Sequence, residues 1–196
     1  MPRSRPARPA RRTGVLSLAA AGAIALALSG CTGAPGPTPT PSASTDTAEP
    51  IFASDEEALA AAEASYVRYL EVVDKLTQDG GSDPDRVRDV ATPAYAVELL
   101  DSLQRLRESG NHTVGATRYE DMRLIERGES DGSAKVSVYL CLDVSDIRVV
   151  NAGGSDVTPA DRAARAPIQA QFESSANNSA ELLPSGSESW SGDDFC

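Results

Sequence analysis

The sequence has few of the residues that bind metals or nucleic acids. Among 196 residues it has a single histidine, His112, and three cysteines, too few to suggest a zinc site. It lacks a phosphate-binding glycine loop and a nucleophile elbow. Its 18 Lys and Arg residues are outnumbered by 29 Asp and Glu residues, and a negative surface repels polyanions. We therefore expect no metal, no cofactor and no nucleic-acid partner.

A long apolar run is also missing. The longest, from Val15 to Leu28, has about fourteen residues, whereas a helix needs roughly 20 to span a bilayer. Five arginines and no acidic residue precede it, which is the pattern of a signal peptide. We predict a signal peptide over residues 1–30, with the general secretory and twin-arginine export routes both open.

The apolar run ends on Leu28-Ser29-Gly30-Cys31, which resembles the lipobox of bacterial lipoproteins. The resemblance implies that Cys31 is lipidated on sulfur and becomes the mature N-terminus. The protein would then be held at the extracytoplasmic face of the cell membrane by this lipid. The alternatives are an ordinary secretory signal or a short anchor in which the cysteine is incidental.

Residues 31–50 are rich in Pro, Thr and Ser, a composition that favours an extended linker. We predict one folded domain over residues 51–196, a usual domain length. Removing residues 1–30 takes away five of the 18 basic residues and no acidic one. The remaining 13 basic and 29 acidic residues give a formal charge of −16, which we attribute to solubility.

With Cys31 lipidated, only Cys141 and Cys196 remain. Two cysteines in an exported protein usually form one disulfide. We predict this bond, with a free thiol or an intermolecular bridge as the alternatives.

The first half of the domain has helical signals. Ser54 and Glu57 form a capping box ahead of apolar residues at helical spacing, which end at Asp79-Gly80-Gly81. Asp83-Pro84 and Thr92-Pro93 have the form of a cap followed by a first-turn proline. We therefore predict three helices.

The second half has strand signals. Residues 134–144 alternate between apolar and other side chains, and a turn containing Asp131-Gly132 precedes them. Further strands are predicted at 118–126, 147–151, 156–158 and 167–173, followed by an extended segment toward Trp190. Helices followed by antiparallel strands predict an α+β fold with the three helices packed on one face of a strongly curved sheet.

This order of elements, with the stretches CLDVSDIRVV and WSGDDFC, resembles the nuclear-transport-factor-2-like (NTF2-like) cone of lipoproteins from high-GC Gram-positive bacteria. That family includes ketosteroid isomerases, scytalone dehydratases, polyketide cyclases and limonene epoxide hydrolases, and many members without known chemistry. Its catalytic members use a carboxylate or histidine in an apolar cone. Relatives often pair through their sheets, so the resemblance also allows a homodimer.

One weak catalytic candidate follows from this resemblance. Asp143 shares a strand face with Tyr139; if buried, it would be a general base, with a tyrosine donating to an oxyanion. Tyr66 or Tyr69 and Arg148 are the candidate additional members. The structural alternative, which we favour, is that Asp143 accepts a hydrogen bond from Ser145 or from a turn amide.

The other polar or aromatic candidates have simpler interpretations. His112 lies in a polar stretch and is expected in a solvated loop. Trp190 is expected to close the core near the disulfide, with a role in lining a pocket as the alternative. Asp193 and Asp194 are expected to be exposed, since two adjacent carboxylates alone do not make a cation site.

Because no catalytic motif appears, the sequence favours a non-catalytic lipoprotein domain. We expect it to bind a small apolar molecule or a protein partner through the cone or its rim. The alternative is a small isomerase or dehydratase that uses Asp143 as its base.

Overall fold

In the computed structural model, helices come first and antiparallel strands follow, as the sequence predicts. The structure describes residues 49–192 and 194–196, which belong to a compact unit that begins at Asp46. The predicted signal peptide, Cys31, nearly all of the linker and Asp193 lie outside the described residues. In the described part, the helices pack on one antiparallel sheet, so the α+β class is confirmed. No helix in this part combines the length and the apolar character needed to cross a bilayer.

Helix α1 spans Asp55–Gln78 and begins at the predicted capping box. The Glu57 amide donates to the Ser54 hydroxyl at 3.2 Å, and the Glu57 carboxylate accepts from the Ala53 amide at 2.8 Å. These bonds satisfy amides that have no partner within the helix. Five core side chains lie on one face of α1: Ala58, Ala62, Tyr66, Tyr69 and Leu76.

The second predicted helix is a 3₁₀-helix, Pro84–Asp89, and the third is α2, Pro93–Ser109. Asp83 does not cap the 3₁₀-helix, because its backbone is left-handed with φ of 48° and its side chain makes no capping bond. Thr92 precedes α2 without a side-chain cap, but its amide donates to the Pro184 carbonyl at 2.9 Å. The start of α2 is therefore fixed to the last strand of the sheet.

Within residues 49–192 and 194–196, six strands form two antiparallel sheets. The larger sheet has the order β2-β3-β5-β6, and the smaller pairs β1 with β4. The predicted hairpin over residues 147–158 is confirmed in part. An antiparallel bridge joins Val150 to Asp156, and the Val157 amide donates to the Val149 carbonyl at 2.8 Å, but the first arm, β4, also pairs with β1. The strands span His112–Val114 (β1), Arg118–Ser130 (β2), Ser133–Asp143 (β3), Arg148–Val150 (β4), Arg165–Ser175 (β5) and Asn178–Ser189 (β6).

Strand β2 has two irregularities in its pairing with β3. The register shifts between Glu120 and Arg123 and again between Leu124 and Glu126. Asp121, within the first shift, has φ of 53°, an unusual backbone for a residue other than glycine. Such bulges bend a strand and increase its twist, so the sheet can curve around the helices.

The inner face of the sheet forms the core with the helices. Val136, Val138 and Leu140 of β3 are buried, as are Ala170 and Phe172 of β5. The alternation predicted for residues 134–144 is confirmed from Ala134 to Leu140, but beyond it Cys141 is fully buried and Asp143 is only 9% exposed. Burying one such aliphatic or aromatic side chain contributes about 1.5–3 kcal/mol.

The outer face of β3 is partly covered by the last residues of the chain. Cys141 and Cys196 form the predicted disulfide, with their Cα atoms 5.4 Å apart. Tyr139 packs on Trp190 at 4.6 Å and on Phe195 at 6.0 Å between ring centroids. Trp190 is therefore half-buried on the outer face and does not join the core, because its partner Tyr139 alternates away from the helices.

Candidate functional site

A small cavity lies between the two α-helices and the inner face of the large sheet. Its volume is about 190 Å³. Among the described residues, no charged side chain lines it. The helices contribute Tyr66, Tyr69 and Tyr95, and the sheet contributes mainly aliphatic side chains, among them Leu142, Ile168 and Ala170.

Helical spacing brings the three tyrosines together. Tyr66 and Tyr69 are three residues apart on α1, so they share a face, with their ring centroids 5.6 Å apart. Tyr95 lies in the first turn of α2, and its ring stacks on that of Tyr69 at 6.2 Å. All three rings are at least nine-tenths buried.

The hydroxyl groups of these tyrosines are only partly satisfied. Those of Tyr69 and Tyr95 are 3.4 Å apart, a long hydrogen bond in which either oxygen can donate. The Tyr66 hydroxyl makes no hydrogen bond with the described residues, but it is not fully buried: the fully buried side-chain atoms without a partner in this part of the chain are Ser65 Oγ and Thr92 Oγ1. Burial raises the pKa of Tyr66 and of Tyr69, and the pKa of Tyr95 is raised chiefly by burial as well. The three phenols are therefore neutral donors at physiological pH.

The cavity adjoins an open groove along α1. Leu70 and Thr117 line both spaces. Asp74 fixes the position of Thr117, because the Asp74 carboxylate accepts from the Thr117 amide at 2.7 Å and from the Thr117 hydroxyl at 2.6 Å. The groove also reaches Tyr119.

The catalytic candidate Asp143 lies away from the cavity. Its carboxylate accepts from the Ser145 amide at 2.8 Å. Hydrogen bonds from Ser145 lower the pKa of Asp143, and the positive charges of Arg118 and Arg165 lower it further. This is the arrangement of the structural alternative, in which a carboxylate stabilises the turn that follows β3.

The structure does not bring the predicted catalytic group together. Asp143 and Tyr139 alternate with Leu142, which lines the cavity, and neither of the two is among the cavity-lining residues. Tyr66 and Tyr69 line the cavity on the other side of β3. The two halves of the predicted group thus lie on opposite faces of one strand.

The remaining candidates are also separate from the cavity. His112 is in strand β1 opposite Val150, so the loop predicted for it is wrong. Arg148 is exposed in β4. Asp194 accepts from the Cys196 amide at 2.9 Å. Across residues 49–192 and 194–196, no three His, Cys, Asp or Glu side chains cluster closely enough to hold a metal ion.

Tyr95 was missed as a site residue in the sequence. A signal existed, since the chain has only five tyrosines and Tyr95 lies on the apolar face of its helix. The alternation of residues 167–173 predicts that Ile168 and Ala170 face inward, and both are buried. The cavity beside them could not be predicted, because it depends on how far α1 stands from the sheet.

The chain was also compared with known proteins. No protein-family model matches it, and no curated protein matches it. Among solved structures, it is similar to the intermembrane-space region of the chloroplast protein ARC6, at 8% identity and a TM-score of 0.49, with 68% of this chain and 97% of that chain covered.

Two bacterial structures are similar at comparable levels. A protein from Catenulispora acidiphila has 11% identity and a TM-score of 0.39, with 65% of this chain and 86% of that chain covered. The protein Aln2 from a Streptomyces species has 12% identity and a TM-score of 0.40, with 69% of this chain and 90% of that chain covered. At these values none of the three supports a statement about the function of this chain.

Proposed function

We propose that this protein is a lipid-anchored extracytoplasmic lipoprotein whose domain binds a small apolar molecule without chemical conversion. The observation that supports binding is the cavity of about 190 Å³ between α1, α2 and the sheet, lined by tyrosine and aliphatic side chains. Apolar cavities of this kind take up small apolar molecules, since a site with few polar groups holds water poorly.

We infer that the bound molecule is not converted chemically, because of the residues that line the cavity. Among the described residues, the cavity presents neutral tyrosine, threonine and serine hydroxyls and no carboxylate or histidine. A proton transfer near neutral pH needs a group whose pKa lies near that pH, and burial moves the pKa of Tyr66 and Tyr69 upward, away from it.

The binding proposal is tested by fluorine NMR with 4-fluorotoluene. We expect saturable binding to the native protein and a loss of at least about tenfold in affinity for Ala170→Leu, which adds three carbon atoms inside the cavity. Gln169→Leu is the matched control, since it places the same side chain on the other face of β5. The absence of saturable binding to the native protein, or equal affinity in Ala170→Leu, would overturn the proposal.

The anchor is proposed from the lipobox-like sequence that ends at Cys31. In a bacterial host that processes lipoproteins, the native chain should fractionate with membranes and Cys31→Ser should appear in the medium or the soluble extracytoplasmic fraction. Membrane retention of Cys31→Ser would contradict the lipid anchor.

We also propose that the domain is an NTF2-like cone. The supporting features are helices packed on one face of a four-stranded antiparallel sheet, bulges in β2, and a partly open cavity between the helices and the sheet. A crystal structure that superposes on members of that family over the whole domain would test this, and a flat sheet without such a cavity would contradict it.

A further inference from the structure

We infer that the molecule bound in the cavity is uncharged and carries a hydrogen-bond-accepting oxygen of the carbonyl type, on a body of about ten non-hydrogen atoms. This inference rests on the proposed binding function and specifies the ligand's chemistry. Three properties of the cavity lead to it: its count of hydroxyl protons, its lack of charge and its size.

The three tyrosine hydroxyls have more protons to donate than are used in hydrogen bonds among the same three groups. Tyr69 and Tyr95 share one hydrogen bond, so one of their two hydroxyl protons has no acceptor in that pair. The Tyr66 hydroxyl makes no hydrogen bond with the described residues, and it is not one of the fully buried atoms without a partner, so its proton can reach water or a bound molecule. A purely apolar ligand that displaces this water would leave the donor without an acceptor, so a ligand oxygen that accepts from these hydroxyls is favoured over a purely apolar ligand.

The lining also determines the ligand's charge. Among the described residues, no Lys, Arg or His lines the cavity to pair with an anion, and no Asp or Glu lines it to pair with a cation. A charged molecule would lose its hydration without gaining an opposite charge. Neutral acceptors such as ketones and esters avoid this cost.

The volume limits the size of the ligand. A dry cavity of about 150 Å³ holds benzene, and the present cavity measures about 190 Å³. One six-membered ring with a short oxygen-bearing substituent therefore fits without displacing side chains.

The test compares two ligands of similar size by fluorine NMR on the purified full chain. 4-Fluoroacetophenone carries the acceptor oxygen, and 4-fluoroethylbenzene has two hydrogen atoms in place of that oxygen. The measured quantity is the ratio of their dissociation constants, ethylbenzene over ketone. The same ratio is measured in Tyr66→Phe/Tyr69→Phe/Tyr95→Phe, which removes all three hydroxyls and keeps the rings.

Comparing the ratio between proteins cancels the difference in hydration between the two ligands. We expect the native ratio to exceed that of the triple variant by about fivefold or more, the effect of one hydrogen bond. Tyr119→Phe is the matched control. Its ring contacts Tyr66 edge-on at 5.2 Å, but it lies in the groove and does not line the cavity, so the native ratio should be kept.

The double variant Tyr66→Phe/Tyr69→Phe provides a second measurement if the triple variant does not fold. It leaves one hydroxyl proton, on Tyr95, in place of two available protons, so the ratio should fall below the native value. A ratio equal to the native one would contradict recognition of the acceptor by these hydroxyls.

The outcomes separate this inference from the proposed function. If both ligands bind and the ratio is unchanged in the triple variant, the acceptor is not recognised; the inference is then overturned while binding stands. If 4-fluorobenzoate binds as tightly as the ketone, the requirement for an uncharged ligand is overturned. If neither neutral ligand binds the native protein, both the proposed function and this inference fail.

Discussion

The disulfide between Cys141 and Cys196 should stabilise the domain strongly. It joins residues separated by 55 positions, from the middle of the sheet to the final residue of the chain. We consider the variant Cys196→Ala, which opens the bond but leaves the Cys141 side chain, fully buried in the native structure, in place.

The size of the effect follows from the loop that the bond closes. In the chain-entropy treatment, closing a loop of 55 residues removes unfolded-state entropy worth about 4 kcal/mol at 25 °C. For a domain of this length, 1 kcal/mol shifts the thermal midpoint by about 3 °C. Cys196→Ala should therefore unfold about 10–15 °C below the native protein.

The assay is thermal unfolding followed by circular dichroism, with and without a reducing agent strong enough to open the native bond. The thermal midpoint of the native protein should fall by a similar amount when the disulfide is reduced, whereas the midpoint of Cys196→Ala should not change with the reductant. A fall of less than about 3 °C, or a variant that still responds to reduction, would refute this reasoning.

Three further predictions concern the Asp74–Thr117 contact, the core and the turn after β3. Asp74→Ala removes both acceptors of Thr117 and should lower the free energy of unfolding by about 1–3 kcal/mol, with an unchanged urea midpoint as the contrary result. Phe172→Ala, at a side chain only 1% exposed, should cost about 3–5 kcal/mol; a loss below about 1 kcal/mol would contradict its place in the core. Because Ser145 lowers the native pKa of Asp143, this carboxylate stabilises the fold above its ordinary pKa near 4 and loses that effect as pH falls through the lowered value. Asp143→Asn should therefore lower the thermal midpoint at pH 7 but not at about pH 2, and an equal deficit at both would count against the assignment.

The elements that were predicted correctly depend on local patterns. The capping box at Ser54 fixes the start of α1, and the alternation around Val138 marks the inner face of β3. The disulfide also followed from the cysteine count. The pairing of strands was predicted only in part: β4 meets the neighbouring segment as predicted, but its pairing with the distant strand β1 was missed, because no local signal specifies it.

The site was harder to predict than the fold. Asp143 was a catalytic candidate because it is an acidic residue in a strand. In the structure, Asp143 and Tyr139 do not line the cavity, whereas Leu142, which alternates with them along β3, does. The cavity depends on the spacing between packed layers, which the sequence of one helix and one strand does not encode. Tyr66 and Tyr69 could be named as candidates, whereas their association with Tyr95 required the observed approach of α1 and α2.

The cavity beside these tyrosines should accept an apolar guest. A crystal structure determined under xenon pressure would show this, since xenon enters dry apolar cavities. We expect a bound xenon atom between Tyr66, Tyr69 and Ile168. A space filled by side chains, with no xenon at that position, would contradict it.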